Sequence, residues 1–413
     1  MNTQSLQKRR PDFWKLLGIG VLGLFVLRLL TAAATPGYLY DQNTFTAWAL
    51  RMAQTPASEF YAEGYFADYP PGYLWVLKLV GEAMLALGAQ SGTALARVLL
   101  ALPVILGECG LMAAIAVLGR KAGGDRAGLL FGLCVALNLS LWFDTGVWKQ
   151  VDALFSLGLV LCFWLLIQKR WLPGALAYGL TLAIKPQALI AGPVLALAFL
   201  LPLLQREGRL RQIGRTVLGA VVAVLAVYLP AVPFWGWKES LPNLVEKYTS
   251  TSMGYPYAVV NAGNLFAALG ANWADENARF LFLSWKQWGT LFLVIFTAAT
   301  IAVAVLSARR GRFCPMILAG FYTTGVFVLA HSMHERYLVF GMVLVLAAAA
   351  LHNSRSLLYI AGGLTVTSLL NQMLVYFTVE TEAQFLMDGV AGFALQLLGL
   401  ANEIGRASCR ERV

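Results

Sequence analysis

The sequence is poor in charged residues. Only 13% of its 413 residues are charged, whereas 59% are hydrophobic, and the mean hydropathy is +0.68. A soluble globular domain carries roughly 25% charged residues, so this shortage excludes an ordinary soluble fold and indicates lipid as the solvent. The formal net charge of +10 would suggest nucleic acid in a soluble protein. Here cytoplasmic loops account for it, and no nucleic-acid partner is predicted.

Cysteine and histidine are also scarce, with five and three residues respectively. We predict small buried side chains rather than a disulfide framework or a metal centre for four cysteines, which lie in or beside apolar segments without metal-ligand spacing: Cys109, Cys134, Cys162 and Cys314. Cys409 falls in Glu403–Val413, where the composition breaks abruptly. This tail matches the translation of a sequencing adapter, so we expect residues 1–402 to form one integral-membrane domain, without 403–413.

Long apolar runs take the place of the missing charge. Backbone groups in lipid must be satisfied within the chain, so such runs indicate helices. The pattern predicts an all-α polytopic membrane protein with about twelve transmembrane helices, in the range of roughly 10–13. The spans are predicted near 13–30, 94–118, 127–142, 152–168, 171–184, 188–204, 216–233, 288–306, 315–330, 337–351, 357–377 and 385–401.

The distribution of charge assigns the loops to two sides. A cytoplasmic N-terminus places most basic clusters in short inner loops and most acids in outer loops, as the positive-inside rule requires. A cleavable secretory signal is the alternative at the N-terminus, but the first apolar run is longer than a usual signal core and favours a retained helix. The basic clusters lie at residues 8–10, 120–126, 169–170, 206–215, 309–312 and 355, and the last predicted outer acids are Glu380 and Glu382.

Two predicted extracytoplasmic loops are long, at 31–93 and 234–287. The first should hold juxtamembrane helices, one of them around Phe45–Ala53. Tyr73–Leu87 must not cross the membrane if the charge rule is to hold, and its central Lys78 and Glu82 favour an amphipathic helix at the outer interface. The second loop is rich in Trp, Tyr, Asn and Gly. No convincing internal repeat is visible, which weighs against an inverted-repeat transporter.

Two acidic clusters lie at predicted outer ends of spans. Asp41 follows the first span and is placed to act as a general base or, more simply, to cap a helix. Asp152 opens a span shortly after Trp148 and Gln150. It is a candidate catalytic acid, and its alternative role is to interact with the helix dipole.

Two cationic clusters lie on the same predicted side. Lys185, beside a proline and Gln187, would neutralise a phosphate or snorkel to the interface. In the second cluster, Arg336 can fork onto phosphate oxygens. His331 and His334 lack the His-Glu-x-x-His spacing of zinc proteases, so no metal site is predicted there.

Two charged residues fall inside predicted spans. Arg28 and Glu108 are expensive in lipid and should pair or face a cavity. The sequence names no partner for either, and snorkelling outward is the alternative for Arg28.

In order and sidedness these motifs resemble the integral-membrane GT-C glycosyltransferases, and among them the bacterial relatives of the mannosyltransferases that build GPI anchors. The resemblance runs from about residue 13 to about residue 350. It implies a GT-C-like fold, a polyprenyl-phosphate sugar donor and a catalytic acid in the first extracytoplasmic loop. It rests on Asp41, 68–73 (Asp-Tyr-Pro-Pro-Gly-Tyr), 148–154 (Trp-Lys-Gln-Val-Asp-Ala-Leu), 185–187 (Lys-Pro-Gln) and 334–337 (His-Glu-Arg-Tyr).

The resemblance implies that Asp41 is the base, and Asp152 is the second candidate catalytic residue. The candidates for binding the donor phosphate are Lys185, His334 and Arg336. The candidates for binding substrate are Asp68, Tyr73, Trp148, Gln150, Gln187 and Glu335.

Two positions depart from the family pattern. Lys149 stands where related sequences often have Gly. Asn43 follows Asp41 where some relatives have a paired Asp-x-Asp. The cofactor therefore stays open between none and a divalent metal, Mg or Mn.

The residue set suits transfer from a lipid phosphate. A phosphate leaves as an anion and needs no proton, so cations can stabilise it, whereas a glycosidase normally needs two carboxylates. One-step displacement predicts inversion at the anomeric carbon. The resemblance implies that a hexose, with mannose as the first candidate, is transferred to a glycan, lipid or protein acceptor outside a bacterial plasma membrane. A secondary transporter or lipid flippase is the alternative and predicts polar residues at mid-membrane. A non-catalytic scaffold would tolerate loss of Asp41.

Overall fold

A computed structural model of the protein describes residues 12–204, 208–379 and 389–410. Helices make up most of the chain, and the only strands named among these residues form one short antiparallel hairpin. The α-helices are α1 (Phe13–Ala34), α2 (Leu39–Gln54), α3 (Pro71–Ala86), α4 (Ala94–Ala136), α5 (Leu139–Trp142), α6 (Asp152–Ile167), α7 (Trp171–Ile184), α8 (Gly192–Leu200), α9 (Arg209–Met253), α10 (Leu265–Ala268), α11 (Trp285–Arg309), α12 (Pro315–Leu329), α13 (Leu338–His352), α14 (Arg355–Val379) and α15 (Gly389–Arg410). The remaining elements are a π-helix (Phe143–Trp148), 3₁₀ helices (Ala57–Glu59, Pro186–Ala191 and Leu201–Leu204) and the strands β1 (Arg279–Phe280) and β2 (Leu283–Ser284).

The prediction of an all-α polytopic membrane protein is confirmed. Within the described residues, six helical stretches are long and apolar enough to cross a membrane, and four shorter apolar helices accompany them. Every predicted span coincides with helical backbone, the last from residue 389 onward. The exact number of crossings stays a prediction.

Two of the long helices are interrupted at a glycine. Gly124 in α4 and Gly236 in α9 have φ of 79° and 73°, a left-handed conformation that glycine adopts without a steric penalty. After Gly124 the chain folds back on itself. The contacts of Gly132 with Ala116 and Met112 show this reversal. This turn falls in the loop predicted between the spans 94–118 and 127–142.

The helices α1 and α4 run antiparallel. The Arg120 guanidinium lies 4.4 Å from the Phe13 ring at one end of the pair, and Arg28 meets Glu108 further along. The first turns of α4 therefore lie beyond the end of α1, where they share an apolar core with α2 and α3. Segment 31–93 thus leaves and rejoins the helix bundle at one end. That Tyr73–Leu87 does not cross the membrane stays a prediction.

The α2–α3 hairpin is closely packed. Gly81 of α3 lies against the backbone carbonyl of Ala49 in α2, where a β-carbon would clash. The predicted helix at Phe45–Ala53 lies within α2, and Lys78 pairs with Glu82 at 2.9 Å on the partly exposed side of α3. This hairpin fixes the start of α2, which carries Asp41 in its first turn.

Some sequence predictions fall beyond what the structure describes. The basic residues 8–10, Arg206, and the acids Glu380 and Glu382 lie outside the described residues. Cys109 and Cys162 are buried, and Cys134 and Cys314 are partly buried, all as free thiols. The helical backbone of α15 continues to Arg410, past residue 402.

Candidate functional site

A cavity of about 790 Å³ lies where the long loops meet the bundle. It is lined by residues from the start of α2, from segment 66–69, from the 3₁₀ helix after α7 and from segments 255–273 and 331–337. The four predicted polar clusters all reach this cavity or lie beside it, although up to 295 residues separate their members. Eight of the eleven predicted site residues line it: Asp41, Asp68, Gln150, Lys185, Gln187, His334, Glu335 and Arg336.

Hydrogen bonds from three side chains hold the Asp41 carboxylate by one of its two oxygens. Its Oδ2 accepts hydrogen bonds from Trp148 Nε1 at 2.7 Å, Gln150 Nε2 at 2.5 Å and Arg336 Nη1 at 3.0 Å. Oδ1 accepts no hydrogen bond from any residue that the structure describes. The side chain is 24% exposed and lines the cavity. One oxygen thus fixes the orientation while the other is available to a bound molecule.

Arg336 is the centre of the charge network. Besides Asp41, its guanidinium lies 3.3 Å from Glu335 Oε1 and 3.9 Å from Asp152 Oδ2, and it stacks 4.7 Å from the Trp148 ring centre. Burial lowers the pKa of Arg336, but these carboxylates outweigh it and raise the pKa well above its ordinary value. Arg336 therefore stays charged, in a position that an arginine fork can share with a phosphate.

Lys185 follows the last residue of α7 and pairs with Asp152 in the first turn of α6. Both side chains are almost fully buried, but only Lys185 lines the cavity. Asp152 lies behind it as its counter-ion. The structure therefore places this candidate catalytic residue outside the cavity lining, and its catalytic role stays a prediction.

Two aromatic candidates for binding substrate lie outside the cavity lining. Tyr73 is 1% exposed and packs edge-on against Phe45, 5.9 Å between ring centres, within the α2–α3 core. Trp148 is fully buried, and its indole N–H donates to Asp41. In the structure Tyr73 supports the fold and Trp148 positions Asp41, and a role of either residue in binding substrate stays a prediction.

The sequence reading missed the aromatic lining that the cavity does have. The second long loop supplies four of these rings and one amide, and its richness in Trp, Tyr and Asn is the signal that could have found them. These residues are Tyr248, Tyr255, Tyr257, Trp273 and Asn261.

His334 is a candidate for binding the donor phosphate, but in the structure its ring is not a cation. Burial, together with the charges of Arg336 and Lys185, lowers the pKa of His334 to about 3. The ring is therefore neutral at pH 7 and can offer a phosphate a hydrogen bond but no charge. In the part of the chain that the structure describes, no three His, Cys, Asp or Glu side chains form a set that could hold a metal ion.

Lys149 is a buried lysine in the left-handed region, with φ of 68°. Glycine adopts this conformation without a steric penalty, whereas lysine does not. Its Nζ donates to Thr35 O at 2.9 Å, Thr35 Oγ1 at 3.0 Å and Val147 O at 3.2 Å. Burial, reinforced by Arg97, lowers the pKa of Lys149 to about 7.

This lowered pKa predicts a pH-dependent stability. An unfolded lysine keeps its proton up to pH about 10.4, so the unfolded state binds more protons between about pH 7 and 10.4, and the contribution of Lys149 to stability rises across that window. Replacing Lys149 by methionine should remove this rise. Thermal midpoints measured in detergent from about pH 7 to 9 test it, with exposed Lys238→Met as the control that should retain it. Equal slopes in all three proteins would contradict the lowered pKa.

No protein-family model matches the chain, and neither does any curated protein. Among solved structures, the chain is similar to the apo oligosaccharyltransferase of Archaeoglobus fulgidus, with a TM-score of 0.49 and 15% identity over 96% of this chain and 56% of that one. The same enzyme tethered to an acceptor peptide gives a TM-score of 0.42 and 13% identity, over 96% and 55%. ArnT from Cupriavidus metallidurans bound to undecaprenyl phosphate gives 0.43 and 16%, over 90% and 77%. The chain spans a little over half the length of the oligosaccharyltransferase.

Proposed function

We propose that this protein is a GT-C-type membrane glycosyltransferase. It would transfer a hexose, mannose first, from a polyprenyl-phosphate carrier to an acceptor outside the cytoplasm, with inversion at the anomeric carbon. The observation that carries the proposal is the placement of Asp41, with its available oxygen, beside Lys185 and Arg336 in one cavity. A base for a hydroxyl and cations for a phosphate are what this transfer requires.

The cavity offers separate places for the two halves of the donor. Lys185 and Arg336 supply positive charge for the phosphate. Apolar side chains would accompany the prenyl chain, and they line the cavity from the 3₁₀ helix after α7 and from α11, α12 and segment 330–333: Leu189, Ile190, Leu293, Val326, Ala330 and Met333. A lipid-linked anion is therefore a better match than a free nucleotide sugar.

The chemistry follows from the charges. Asp41 Oδ1 takes the proton of the acceptor hydroxyl as its oxygen attacks the anomeric carbon. The bond from that carbon to the phosphate oxygen breaks, and both its electrons leave with the phosphate. The donor is a phosphodiester with one negative charge, and the product monoester carries about −1.5 to −2 at pH 7. Lys185 and Arg336 therefore bind the leaving group more strongly than the donor, which is the condition for lowering the barrier.

The two cations are already balanced in the structure. Lys185 pairs with Asp152, and Arg336 pairs with Asp41. Burial raises the pKa of Glu335, although the neighbouring Arg336 opposes this. A larger protonated fraction of Glu335 would reduce the negative charge that an incoming phosphate meets.

The proposed orientation has the cavity outside a bacterial plasma membrane and the N-terminus in the cytoplasm. Arg120 lies beside Phe13, at the opposite end of α1 from Asp41. The 22 residues of α1 span about 33 Å at the helical rise of 1.5 Å per residue, enough to cross the hydrocarbon core. The basic loop at 120–126 and the cavity therefore lie towards opposite ends of α1, and this arrangement supports the orientation that the positive-inside rule favours.

The test is a transfer assay with the full chain in membranes. Labelled polyprenyl-phosphate mannose and polyprenyl-phosphate glucose would be supplied in parallel with the corresponding nucleotide sugars, with and without a chelator. We expect labelled product from a lipid-linked donor only, with the anomeric configuration inverted. Transfer from a nucleotide sugar, or uptake of sugar into vesicles without transfer, would contradict the proposal, and uptake would support the transporter. Loss of transfer with chelator, restored by Mg or Mn, would assign a metal.

A further inference from the structure

The cavity wall contains three non-glycine residues in the left-handed conformation. Asn261, Trp273 and Ser332 have φ of 57°, 59° and 56°, and all three line the cavity. Such a conformation is unfavourable for most residues with a side chain and persists only where the surroundings impose it. For a residue as bulky as tryptophan it is an outlier. Strain gathered at one place in a cavity indicates function rather than accident.

Backbone hydrogen bonds hold this wall together. Trp273 N donates to Val259 O, and Ser332 N donates to Ala258 O, both at 2.9 Å. The Ser332 hydroxyl donates to Tyr257 O at 2.9 Å. The second long loop is thereby fastened to the segment that carries Arg336, so its side chains have a fixed position relative to the charge network.

The fixed side chains are an aromatic pair with an amide. The rings of Tyr257 and Trp273 meet edge to face, 4.9 Å between centres. Trp273 Nε1 donates to Asn261 Oδ1 at 2.8 Å, which locks the indole in place. Both rings are only partly buried and line the cavity. The wall therefore presents aromatic surface to the bound molecule, with polar groups at its edge.

We infer that Tyr257, Trp273 and Asn261 form a binding subsite for a pyranose ring. A pyranose has apolar C–H surface, which packs on aromatic rings, and hydroxyls, which need the few placed polar groups of such a pocket. The inference rests on the proposed function in naming a hexose. The ring bound there is either the donor sugar or a sugar of the acceptor.

The first test measures sugar binding without catalysis. Methyl α-mannoside and methyl α-glucoside are titrated into the full protein in detergent and followed by saturation-transfer NMR. Trp273→Asn removes the ring but keeps a residue that tolerates the left-handed backbone, and it should weaken binding roughly three- to tenfold, the scale of an aromatic contact. The matched control is Trp237→Asn, because Trp237 is 67% exposed and is not among the cavity-lining residues. It should bind as the parent does.

A second pair of variants guards against loss of the fold. Tyr257→Leu should weaken glycoside binding, whereas Tyr257→Phe retains the ring and should bind nearly as well as the parent. Binding equal to that of the parent in both Trp273→Asn and Tyr257→Leu would overturn the inference. So would a parent protein that binds neither glycoside.

Carrier lipids then identify which sugar occupies the subsite. If it holds the donor sugar, Trp273→Asn will bind polyprenyl-phosphate mannose more weakly and sugar-free polyprenyl phosphate as the parent does. If it holds an acceptor sugar, both carriers will bind unchanged while glycoside binding falls. A parent that binds glycosides but neither carrier would refute the proposed function and leave the subsite standing.

Discussion

Replacing Asp41 by asparagine should lower the rate of sugar transfer by roughly 10²–10⁴, the usual contribution of a general base, without unfolding the protein. The asparagine carbonyl can accept the hydrogen bonds that Trp148, Gln150 and Arg336 now donate to Asp41 Oδ2. The amide NH₂ then faces the cavity in place of Oδ1 and cannot take a proton. The loss should therefore appear in kcat, with a smaller change in donor affinity.

The positions of the other acidic residues leave few alternatives to Asp41 as the base. Asp144 is fully buried, and its carboxyl oxygens have no hydrogen-bond partner among the described residues. Asp152 is 1% exposed and sits behind Lys185. Among Asp68, Asp144 and Asp152, only Asp68 lines the cavity. Burial raises the pKa of Asp68, although a hydrogen bond to its own backbone opposes this.

Asp68→Asn is therefore the matched control. It changes a cavity carboxylate in the same way but leaves the three hydrogen bonds to Asp41 intact. Because Asp68 is a candidate for binding substrate, we expect its loss to weaken substrate affinity and to lower kcat far less than Asp41→Asn does. Thermal midpoints and size-exclusion profiles would show that both variants are folded. A folded Asp41→Asn protein with full activity, beside an inactive Asp68→Asn protein, would move the base to Asp68.

The sequence predicts the helices and the convergence of the polar clusters because both depend on local patterns. Apolar runs identify spans regardless of their partners. Charge alternation then assigns loop ends to one side, so Asp41, Lys185 and Arg336 are expected on one face before any contact is known. The prediction that α3 does not cross the membrane also rests on a local pattern, namely the polar residues in the middle of this helix.

The direction in which a side chain points is not local information. Trp148 and Tyr73 stand in the motifs of the resemblance and are candidates for binding substrate, yet both rings are buried in the structure. Trp273 and Tyr257 have no motif around them, but the packing of the second long loop places them on the cavity wall. The spacing of aromatic residues along a chain does not distinguish these cases, because tertiary contacts decide which face of a loop is covered.

The partners of Arg28 and Glu108 show the same limit. Both are charged residues inside predicted spans, where burying a charge in lipid costs free energy, and the sequence identifies no partner for either. In the structure they pair with each other across 80 residues of sequence, and Arg28 is 0% exposed, so it does not snorkel. Helix periodicity gives the face of each residue but not the neighbouring helix that the face meets.

Replacing Glu108 by alanine should destabilise the protein by about 3–5 kcal/mol, because it leaves a buried arginine without its counter-ion. Arg28 Nε and Nη2 donate to the two oxygens of Glu108 at 2.8 and 2.6 Å, a bidentate pair with both side chains fully buried. A thermal midpoint measured in detergent should fall sharply. Asp125→Ala is the control, since the exposed Arg120–Asp125 pair should be worth at most about 1 kcal/mol.

The double change Arg28→Met with Glu108→Leu separates charge from packing. Replacing both members of a buried ion pair by apolar residues is often neutral or stabilising, so we expect the double variant to recover most of the midpoint that Glu108→Ala loses. A double variant as unstable as Glu108→Ala would mean that the loss of the hydrogen bonds made by this pair, including those to Ala136 O and from Thr145, causes the damage rather than the unpaired charge.

The same pair should also affect transfer, through Thr145. Its hydroxyl donates to Glu108 Oε2 at 2.6 Å, and it lies in the π-helix that carries Trp148, the donor to Asp41. The stable double variant lacks the hydrogen bond from Thr145 to Glu108, so the π-helix is held less firmly. Its kcat should therefore be lower than that of the parent at temperatures where both are folded. Equal kcat values would mean that the Arg28–Glu108 pair contributes only to stability, because the alignment of Asp41 would then not depend on this pair.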